Sequence, residues 1–332
     1  NQKVVERAPA PYLSKAQREE ICALGVKICA HVNYECAGTV EFLMDIDTGK
    51  FFFIEVNPRV QVEHTVTEEV TGIDIVRAQI LITEGKSLAE ATGSTSQANV
   101  KLDGHAIQCR VTTEDPSNNF IPDYGRISAY RGATGMGIRL DGGTAYSGAV
   151  ITRYYDSLLE KVTAWAPTPE AAIVRMDRAL REFRIRGVST NIAFVENLLK
   201  HPTFLNYKYT TKFIDETSEL FKFKKRRDRA TKILSYIADI TVNGHPETEG
   251  HTRPHKDVKA PKAPLTLPAE FSHGAKNILD DLGPKALADW MLDQKRLLIT
   301  DTTMRDGHQS LLATRMRSHD MIKVAPAYAA NL

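Results

Sequence analysis

Two glutamates, Glu41 and Glu55, stand on either side of the turn-like sequence at residues 47–49, within runs that suit β-strands. A loop centred on Thr48, with Gly49 in the left-handed region, would place the two carboxylates directly opposite each other. Facing like charges are destabilising unless a cation lies between them, and an oxygen-rich pair beside a phosphate ligand suits Mg²⁺. A register shifted by one residue would instead send the two glutamates to opposite, solvated faces. The same centred register adds two further pairs, which are Leu43 with Phe53 and Asp45 with Phe51.

A polar ladder follows the hairpin, because every second residue from position 55 to position 63 is polar and the residues between them are valine or proline. Its members are Glu55, Asn57, Arg59, Gln61 and Glu63. An extended segment would present these side chains on one side, and a mixture of carboxylate, amide and guanidinium groups suits a charged ligand. Arg110 lies on the polar side of another predicted strand, where it either points into the same cleft or belongs to the ordinary surface.

The elements that would position these residues form an α+β protein. Apolar periodicity and caps predict helices over residues 13–32, 74–83, 168–183, 191–200 and 228–238. Strands are predicted at residues 105–111, 125–131, 137–140 and 158–165, and residues 91–104 are predicted to form a surface loop.

A linker is predicted between Thr241 and Pro268, where five of the fifteen prolines fall. Beyond it, we expect a helix that begins near Gly283 and one buried strand at residues 296–301. The polar sequence at residues 300–310 follows that strand. In a parallel barrel, catalytic groups gather at the carboxyl ends of the strands, but a helix capped by Asp306 or Ser310 would explain the same residues.

Composition narrows the class of protein. The 332 residues suggest about two domains, and a net charge of +2 implies no general attraction to nucleic acid or to an anionic membrane. Apolar runs are too short for a membrane span. The spacing of the four cysteines fits neither a metal clip nor a disulfide scaffold, so we expect buried free thiols in a reducing compartment. The chain lacks an initiating Met and stops within a predicted helix, which suggests a piece of a longer protein.

The chain resembles the ATP-grasp core and last lobe of the biotin carboxylase family. The resemblance rests on residues 41–43, on Glu55-Val56-Asn57-Pro58-Arg59-Val60-Gln61-Val62-Glu63-His64, and on residues 71–74, 105–110, 114–116 and 154–158. It implies carboxylation of biotin with ATP and bicarbonate. By this resemblance Glu41, Glu55 and Asn57 would ligate the Mg²⁺ of MgATP, and the bicarbonate and phosphate pocket would be lined by Lys3, Arg59, Gln61, Val62 and Glu63.

The resemblance also implies individual roles. Glu63 would be the general base that deprotonates bicarbonate for attack on the γ-phosphate, which gives carboxyphosphate. Arg59 could donate two hydrogen bonds to bicarbonate, and Arg110 would stabilise the enolate-like form of biotin. Arg139 matches an arginine at the twofold dimer interface of biotin carboxylases.

The sequence at residues 300–317 resembles the first strand of the carboxyltransferase barrel in the pyruvate carboxylase family. That fold is a (β/α)8 barrel, and the resemblance makes Asp306 a ligand of a divalent transition metal, Zn or Mn. Arg305 and Gln309 would hold pyruvate or its enolate, and carboxyl transfer would give oxaloacetate. The order of the two motifs resembles the single-chain enzymes. We then expect a biotin carboxylase part at residues 1–208, a central region at 209–268 and a truncated barrel at 269–332.

The family resemblance further implies a homo-oligomer, with a dimer through the carboxylase domain and a tetramer overall. It implies a cytoplasmic enzyme, or one of the mitochondrial matrix in a eukaryote, and a fragment that is inactive alone. Two alternatives stay open: another biotin-dependent 2-oxoacid carboxylase or decarboxylase, and a non-catalytic piece that serves oligomerisation and acetyl-CoA binding.

Two basic clusters stand out in the otherwise balanced chain. Arg184 and Arg186 form the first, and Arg226 and Arg229 belong to the second. A nucleic-acid site needs a broader basic surface with more aromatic residues, so no nucleic-acid partner is expected. The clusters are either a solvated surface or, as the family resemblance implies, a site for the phosphates of the activator acetyl-CoA.

Overall fold

A computed structural model describes residues 3–143, 145–223, 229–244, 273–312 and 315–331. Its contacts divide the chain into two units, residues 1–153 with 157–226 and residues 154–156 with 227–332. Helices and strands are mixed, which confirms the predicted α+β class. None of the helices within the described ranges is long and apolar enough to cross a membrane.

The strands all lie in the first unit among the described residues. They are β1 (Val5–Ala8), β2 (Thr39–Met44), β3 (Phe51–Asn57), β4 (His105–Thr112), β5 (Glu114–Asp115), β6 (Ile121–Pro122), β7 (Gly125–Arg126), β8 (Ala129–Arg131), β9 (Ile138–Gly142), β10 (Val150–Ile151), β11 (Leu158–Ala166) and β12 (Arg184–Arg186). The helices of this unit are α1 (Lys15–His31), α2 (His64–Thr71), α3 (Ile75–Thr83), α4 (Leu88–Thr92), α5 (Pro169–Glu182), α6 (Ile192–Lys200), α7 (Pro202–Leu205) and α8 (Phe213–Glu216).

An antiparallel sheet with the strand order β1-β4-β11-β9 forms the centre of the first unit. Along β4, alternate residues point to opposite faces, so Ile107, Cys109 and Val111 enter the main hydrophobic core. Ala106 faces the other way and packs with Val66 and Val70 of α2. The two faces therefore differ: α5 covers an apolar face, and α2 covers a face that also carries Gln108 and Arg110.

The β2–β3 hairpin carries the predicted carboxylate pair. Glu41 lies directly opposite Glu55, and Gly49 has φ of 69°, which confirms both predictions. The pairs predicted nearer the turn are wrong, because a bulge between Glu41 and Phe42 shifts the register by one residue. Near the turn the structure instead pairs Leu43 with Phe52 and Met44 with Phe51.

The predicted helices start at clear caps. Ser14 accepts from the Gln17 backbone N–H before α1, Asp74 accepts from Arg77 before α3, and Thr168 precedes α5 in the same way. Residues 91–104 are mostly loop, as expected, after the end of α4 and with one 3₁₀ turn at Gln97–Asn99. No local pattern predicts α2, because its first residues lack a side-chain cap and it is rich in β-branched threonine and valine.

The second unit contains α9 (Arg229–Asn243), α10 (Ala275–Leu292), a π-turn at Thr303–Gly307, α11 (His308–Ser310) and α12 (Ser318–Asn331). α10 is broken at Gly283, whose φ of 83° is not helical, so a helical stretch begins at Pro284 as predicted. The stretch before the break, which begins at Ala275, was not predicted. The predicted strand at residues 296–301 is wrong: Ile299 is 87% exposed, and no strand among the described residues of this unit supplies backbone partners. Most of the predicted linker, residues 245–268, lies outside the described residues.

All four cysteines carry free thiols. Only Cys109 is buried, and burial raises the pKa of its thiol. Cys22 and Cys29 are half-buried and Cys36 is exposed, so the expectation of buried thiols is wrong for three of them. The reason is that these three lie on α1 and the loop after it, outside the main core.

Candidate active site

The candidate site is built around Lys3, which lies just before β1 and joins two carboxylates from different elements. Its Nζ is 2.8 Å from Oε1 of Glu41 on β2 and 3.0 Å from Oε1 of Glu63 at the start of α2. Burial acts to lower the pKa of Lys3, but hydrogen bonds and charge attraction from the two glutamates raise it overall. Lys3 is therefore a fixed positive charge between the predicted metal ligands and the predicted base.

Three predicted metal ligands share one face of the hairpin. The Nδ2 atom of Asn57 donates to Glu55 Oε1 at 3.0 Å and to Glu41 Oε1 at 3.3 Å. Two carboxylates within reach of one amide group form an oxygen-rich site of the kind that Mg²⁺ favours. Among the described residues, no three His, Cys, Asp or Glu side chains are arranged to hold a metal alone. A metal held by Glu41, Glu55 and Asn57 would need further ligands, such as phosphate oxygens and water.

Glu63 occupies the position just before α2, and its carboxylate faces two cations. Oε1 contacts Lys3, and Oε2 lies 3.2 Å from Nη2 of Arg110. Burial works to raise the pKa of Glu63, yet the hydrogen bond and charge of Lys3 and the charge of Arg110 hold that pKa below its usual range. The two cations therefore favour the ionised form of Glu63, and the lowered pKa makes this carboxylate a weaker proton acceptor than a free glutamate.

Arg110 points into this site, as one of the two sequence interpretations predicted. It also binds Glu6 of β1, with Nε 2.7 Å from Glu6 Oε1. Arg110 and Glu6 have side chains only 12% and 9% exposed. Burial raises the pKa of Glu6, although Arg110 and Gln108 act in the opposite direction. Sequence reasoning missed Glu6, because the pairing of β1 with β4, about a hundred residues apart, leaves no local signal.

The polar ladder is only partly extended. β3 ends at Asn57, and the N–H of Arg59 donates to the Asn57 carbonyl oxygen at 2.8 Å, which turns the chain. A continuous ladder through position 63 is therefore wrong. Arg59 is exposed, Gln61 accepts through its carbonyl oxygen from the His64 N–H, and Val62 is half-buried. The structure joins Glu63 to the site through α2 and leaves the ligand contacts of Arg59, Gln61 and Val62 as predictions.

Arg139 on β9 has three acidic neighbours within its own chain. It lies 2.7 Å from Glu68 and 3.6 Å from Glu69 on α2, and 2.9 Å from Asp141. Burial lowers the pKa of Arg139, but the hydrogen bonds and charges of Asp141 and Glu68 raise it overall. The ion pairs with Glu68 and Glu69 hold α2 against the sheet. The dimer contact of Arg139 stays a prediction.

The second motif lies in the other unit and is considered by itself. Asp306 Oδ1 accepts from Ser310 Oγ at 2.9 Å and lies 3.2 Å from Arg305 Nη1. The bond joins two side chains, and α11 begins after Gly307 without a side-chain cap, so these contacts do not confirm a helix capped by Asp306 or Ser310. Gln309 is exposed. The transition-metal role of Asp306 and the substrate roles of Arg305 and Gln309 stay predictions.

The basic clusters are described only in part. Arg184 and Arg186 form the ends of β12, and Arg184 lies opposite Arg131 of β8. Two like charges opposite each other on a two-stranded ribbon favour an anion beside them. Arg226 lies outside the described residues, and Arg229 opens α9. The acetyl-CoA site is therefore a prediction.

Two family models match the chain. Residues 1–91 match the carbamoyl-phosphate synthase L chain ATP-binding domain, and residues 108–216 match the biotin carboxylase C-terminal domain. Together with the sheet and the site described above, these matches define the first unit as the C-terminal part of an ATP-grasp biotin carboxylase domain.

The relatives narrow this class. Pyruvate carboxylase of Bacillus subtilis is 52% identical over 99% of this chain, and the mitochondrial pyruvate carboxylase of Homo sapiens is 48% identical over 100% of it. The chain spans 29% and 28% of the lengths of these two relatives. It corresponds to a segment of pyruvate carboxylase that includes the C-terminal part of the biotin carboxylase domain.

Solved structures agree with this assignment. One is the structure of Rhizobium etli pyruvate carboxylase T882A with the allosteric activator acetyl coenzyme-A, which is 63% identical with a TM-score of 0.68. The match covers 100% of this chain and 33% of the Rhizobium etli chain. The biotin carboxylase domain of a thermophilic 2-oxoglutarate carboxylase bound to bicarbonate is 42% identical with a TM-score of 0.64. That match covers 68% of this chain and 49% of the other.

Proposed function

We propose that this segment activates bicarbonate for the ATP-dependent carboxylation of biotin, within an enzyme that transfers the carboxyl group to pyruvate and forms oxaloacetate. The observation that carries the proposal is the position of the Glu63 carboxyl group, held between Lys3 and Arg110 in the same unit as the Glu41–Glu55 pair, to which Lys3 connects it. Anion-binding cations, a base and metal-binding oxygens are the groups that this chemistry needs in one place.

Glu63 acts as the general base. Lys3 and Arg110 attract the bicarbonate anion, and Glu63 accepts its proton, so that the bicarbonate oxygen can attack the γ-phosphate of ATP. The products of this step are carboxyphosphate and ADP. Arg59 donates two hydrogen bonds to bicarbonate, and Gln61 and Val62 complete the pocket. A related domain bound to bicarbonate supports this choice of anion.

Glu41, Glu55 and Asn57 would hold Mg²⁺ together with the phosphates of ATP. The two carboxylates offer oxygens, and Asn57 offers its Oδ1 after a rotation of the amide, whose Nδ2 now faces both glutamates. When bound, Mg²⁺ would neutralise charge on the transferring phosphate. Arg110 then places a positive charge where the ureido oxygen of biotin becomes negative.

The remaining predictions extend this proposal to the rest of the enzyme. The proposed parts are residues 1–208, 209–268 and 269–332. In the barrel of the last part, Asp306 would be a ligand of Zn or Mn, and Arg305 and Gln309 would bind pyruvate. Acetyl-CoA is proposed as activator because the related Rhizobium etli structure contains it. Its phosphates are proposed to bind Arg184, Arg186, Arg226 and Arg229. A dimer through Arg139, a tetramer and a cytoplasmic or mitochondrial location complete the proposal.

The same site would serve a 2-oxoglutarate carboxylase, which was one of the open alternatives. Identity over the biotin carboxylase part does not discriminate, because it is 42% to the 2-oxoglutarate enzyme and 41% to the biotin carboxylase subunit of a pyruvate carboxylase. Relatives that match along the whole chain favour pyruvate, since the pyruvate carboxylases of Bacillus subtilis and Homo sapiens match 99% and 100% of it. The substrate of the second half-reaction is therefore proposed as pyruvate.

The test of the proposed function is Glu63→Gln in the full-length protein. Loss of a general base should lower bicarbonate-dependent ATP cleavage by about 10²-fold or more. Glu35→Gln, at an exposed position before β2, is the matched control and should retain the activity. ATP cleavage within about twofold of wild type in Glu63→Gln would refute the role of Glu63.

A further inference from the structure

A buried chain of hydrogen bonds lies beneath Arg110. Gln108, Thr65 and Thr163 are each 0% exposed, although all three have polar side chains. Buried polar groups are costly unless they are hydrogen-bonded, so their arrangement is specific. The chain of bonds ends at Glu6, the carboxylate that binds Arg110.

The pairing of β1 with β4 creates this arrangement. Glu6 lies directly opposite Gln108, and Arg110 is two residues further along β4, on the same face. One carboxylate oxygen of Glu6 lies 2.7 Å from Arg110 Nε and 2.5 Å from Arg110 Nη2. The other oxygen accepts from Gln108 Nε2 at 2.8 Å. Glu6 is thus held from both sides.

The orientation of Gln108 is fixed in turn. Its Oε1 accepts from the Thr65 hydroxyl, and Thr65 Oγ1 lies 2.9 Å from Thr163 Oγ1. Because Oε1 is occupied by Thr65, Nε2 must face Glu6. Thr65 belongs to α2, two residues after Glu63, so the same bonds also fix the helix start that carries Glu63.

Arg110 lies between two carboxylates that compete for it. Glu6 takes Nε and Nη2, whereas Glu63 reaches only Nη2, at 3.2 Å. Without Glu6, a two-bond ion pair between Arg110 and Glu63 would be the natural replacement, since guanidinium and carboxylate groups match in this way. Such a pair would occupy the base and the cation together.

We propose that Glu6 is a positioning residue, which holds Arg110 away from a closed pair with Glu63 and is itself oriented by Gln108. The inference rests on the proposed function, because it matters for turnover only if Glu63 and Arg110 act there. Glu6 is not assigned contact with any substrate.

The test is an exchange of side chains in the full-length protein. In Glu6→Gln an amide group faces the Gln108 amide, and one link is lost; in Gln108→Glu two buried carboxylates face each other. The double variant Glu6→Gln/Gln108→Glu restores a donor and an acceptor at every link. We expect each single variant to lower kcat for biotin carboxylation about tenfold or more, and the double variant to recover to within about threefold of wild type.

Two further readouts distinguish a positioning role of Glu6 from a general loss of structural stability. KM for MgATP should stay within about twofold of wild type in Glu6→Gln, because the Glu41–Glu55 pair is untouched. Glu182→Gln, which removes an exposed partner of Arg178, is the matched control and should leave kcat unchanged. If Glu6→Gln fails to fold, Thr65→Val applies the test without a change of charge and should lower kcat by about two- to fivefold.

Arg110→Ala separates the possible failures. Wild-type biotin carboxylation in Arg110→Ala would refute the proposed role of Arg110, and the inference with it. Loss of activity in Arg110→Ala, together with wild-type kcat in Glu6→Gln and Thr65→Val, would overturn the inference alone. A folded double variant that recovers no activity would also overturn it.

Discussion

At the scale of single residues, the carboxylates of the first unit differ in their partners. Glu41 and Glu63 share Lys3, Glu6 and Glu63 share Arg110, and Glu55 is bonded by Asn57. The two cations do not balance the four carboxylates, so a bound divalent cation would relieve repulsion within this cluster.

Glu55→Gln tests that consequence in the full-length protein. Removing one charged oxygen ligand should lower bicarbonate-dependent ATP cleavage by about two orders of magnitude at ordinary Mg²⁺ concentrations, with the fold intact. The measurement is ATP cleavage as a function of Mg²⁺, with exposed Glu84→Gln as control. Activity within about twofold of wild type at saturating Mg²⁺ would contradict a metal role for Glu55.

Glu160 gives a pH-dependent prediction. It is 4% exposed and accepts a hydrogen bond from Tyr130. Burial raises the pKa of Glu160, the charge of Asp141 adds to this, and Tyr130 acts in the opposite direction. Because the pKa of Glu160 is raised in the folded state, its contribution to the free energy of unfolding is fully present below the pKa of the unfolded state. That contribution is lost as the pH rises through the pKa of the folded state.

Glu160→Gln is neutral at every pH and avoids that loss, while its amide oxygen can still accept from Tyr130. Its melting temperature should therefore exceed that of wild type at about pH 7.5, and the difference should vanish near about pH 4. Thermal unfolding across this range is the measurement. A constant difference at all pH values would show that packing, and not ionisation, causes the change.

At the scale of elements, the β2–β3 hairpin shows what a sequence can and cannot specify. The alternation and Gly49 were sufficient to predict the turn and the facing glutamates, because both depend on neighbouring residues. The bulge at Ile54 was not predictable, since Asp45 closes the turn by accepting from Asp47 and Thr48, and one extra residue must then be accommodated in β3.

Gly49→Ala tests the turn. At φ of 69° an alanine should cost about 1–2 kcal/mol of unfolding free energy. Gly25→Ala in α1 is the matched control, because its new Cβ would lie at an ordinary 3.9 Å from Val40. It should instead stabilise by roughly 0.5–1 kcal/mol, since glycine is unfavourable inside helices. Denaturant unfolding of both variants measures the difference. A change of the same sign in the unfolding free energy of both variants would contradict the turn geometry.

Contacts between residues far apart in sequence explain the other features of this scale that the sequence did not predict. Glu6 joins the site because β1 pairs with β4, and α2 is placed by Val66 and Val70 on Ala106 together with the Arg139 ion pairs. Neither feature has a signal in neighbouring residues. The predicted strand at residues 296–301 failed for a related reason, because an apolar run does not form a strand without a partner.

At the scale of the whole molecule, the two motifs belong to different units. Lys3, Glu41, Glu55, Glu63 and Arg110 all lie in the first unit, and Asp306 lies in the second. The family assignment was predictable from sequence, since long motifs carried it. The chain spans 29% of the length of its Bacillus subtilis relative.

Separate units predict separable half-reactions. Asp306→Ala in the full-length protein should abolish carboxylation of pyruvate and leave bicarbonate-dependent ATP cleavage within about twofold of wild type, because no residue of the first site is altered. Asp320→Ala, which breaks an exposed ion pair with Arg317 in the same unit, is the matched control and should change neither reaction, since such pairs contribute little. Loss of both half-reactions in a folded Asp306→Ala protein would mean that the two motifs do not act independently. Wild-type pyruvate carboxylation would refute the metal role of Asp306 and leave it with its side-chain bond to Ser310.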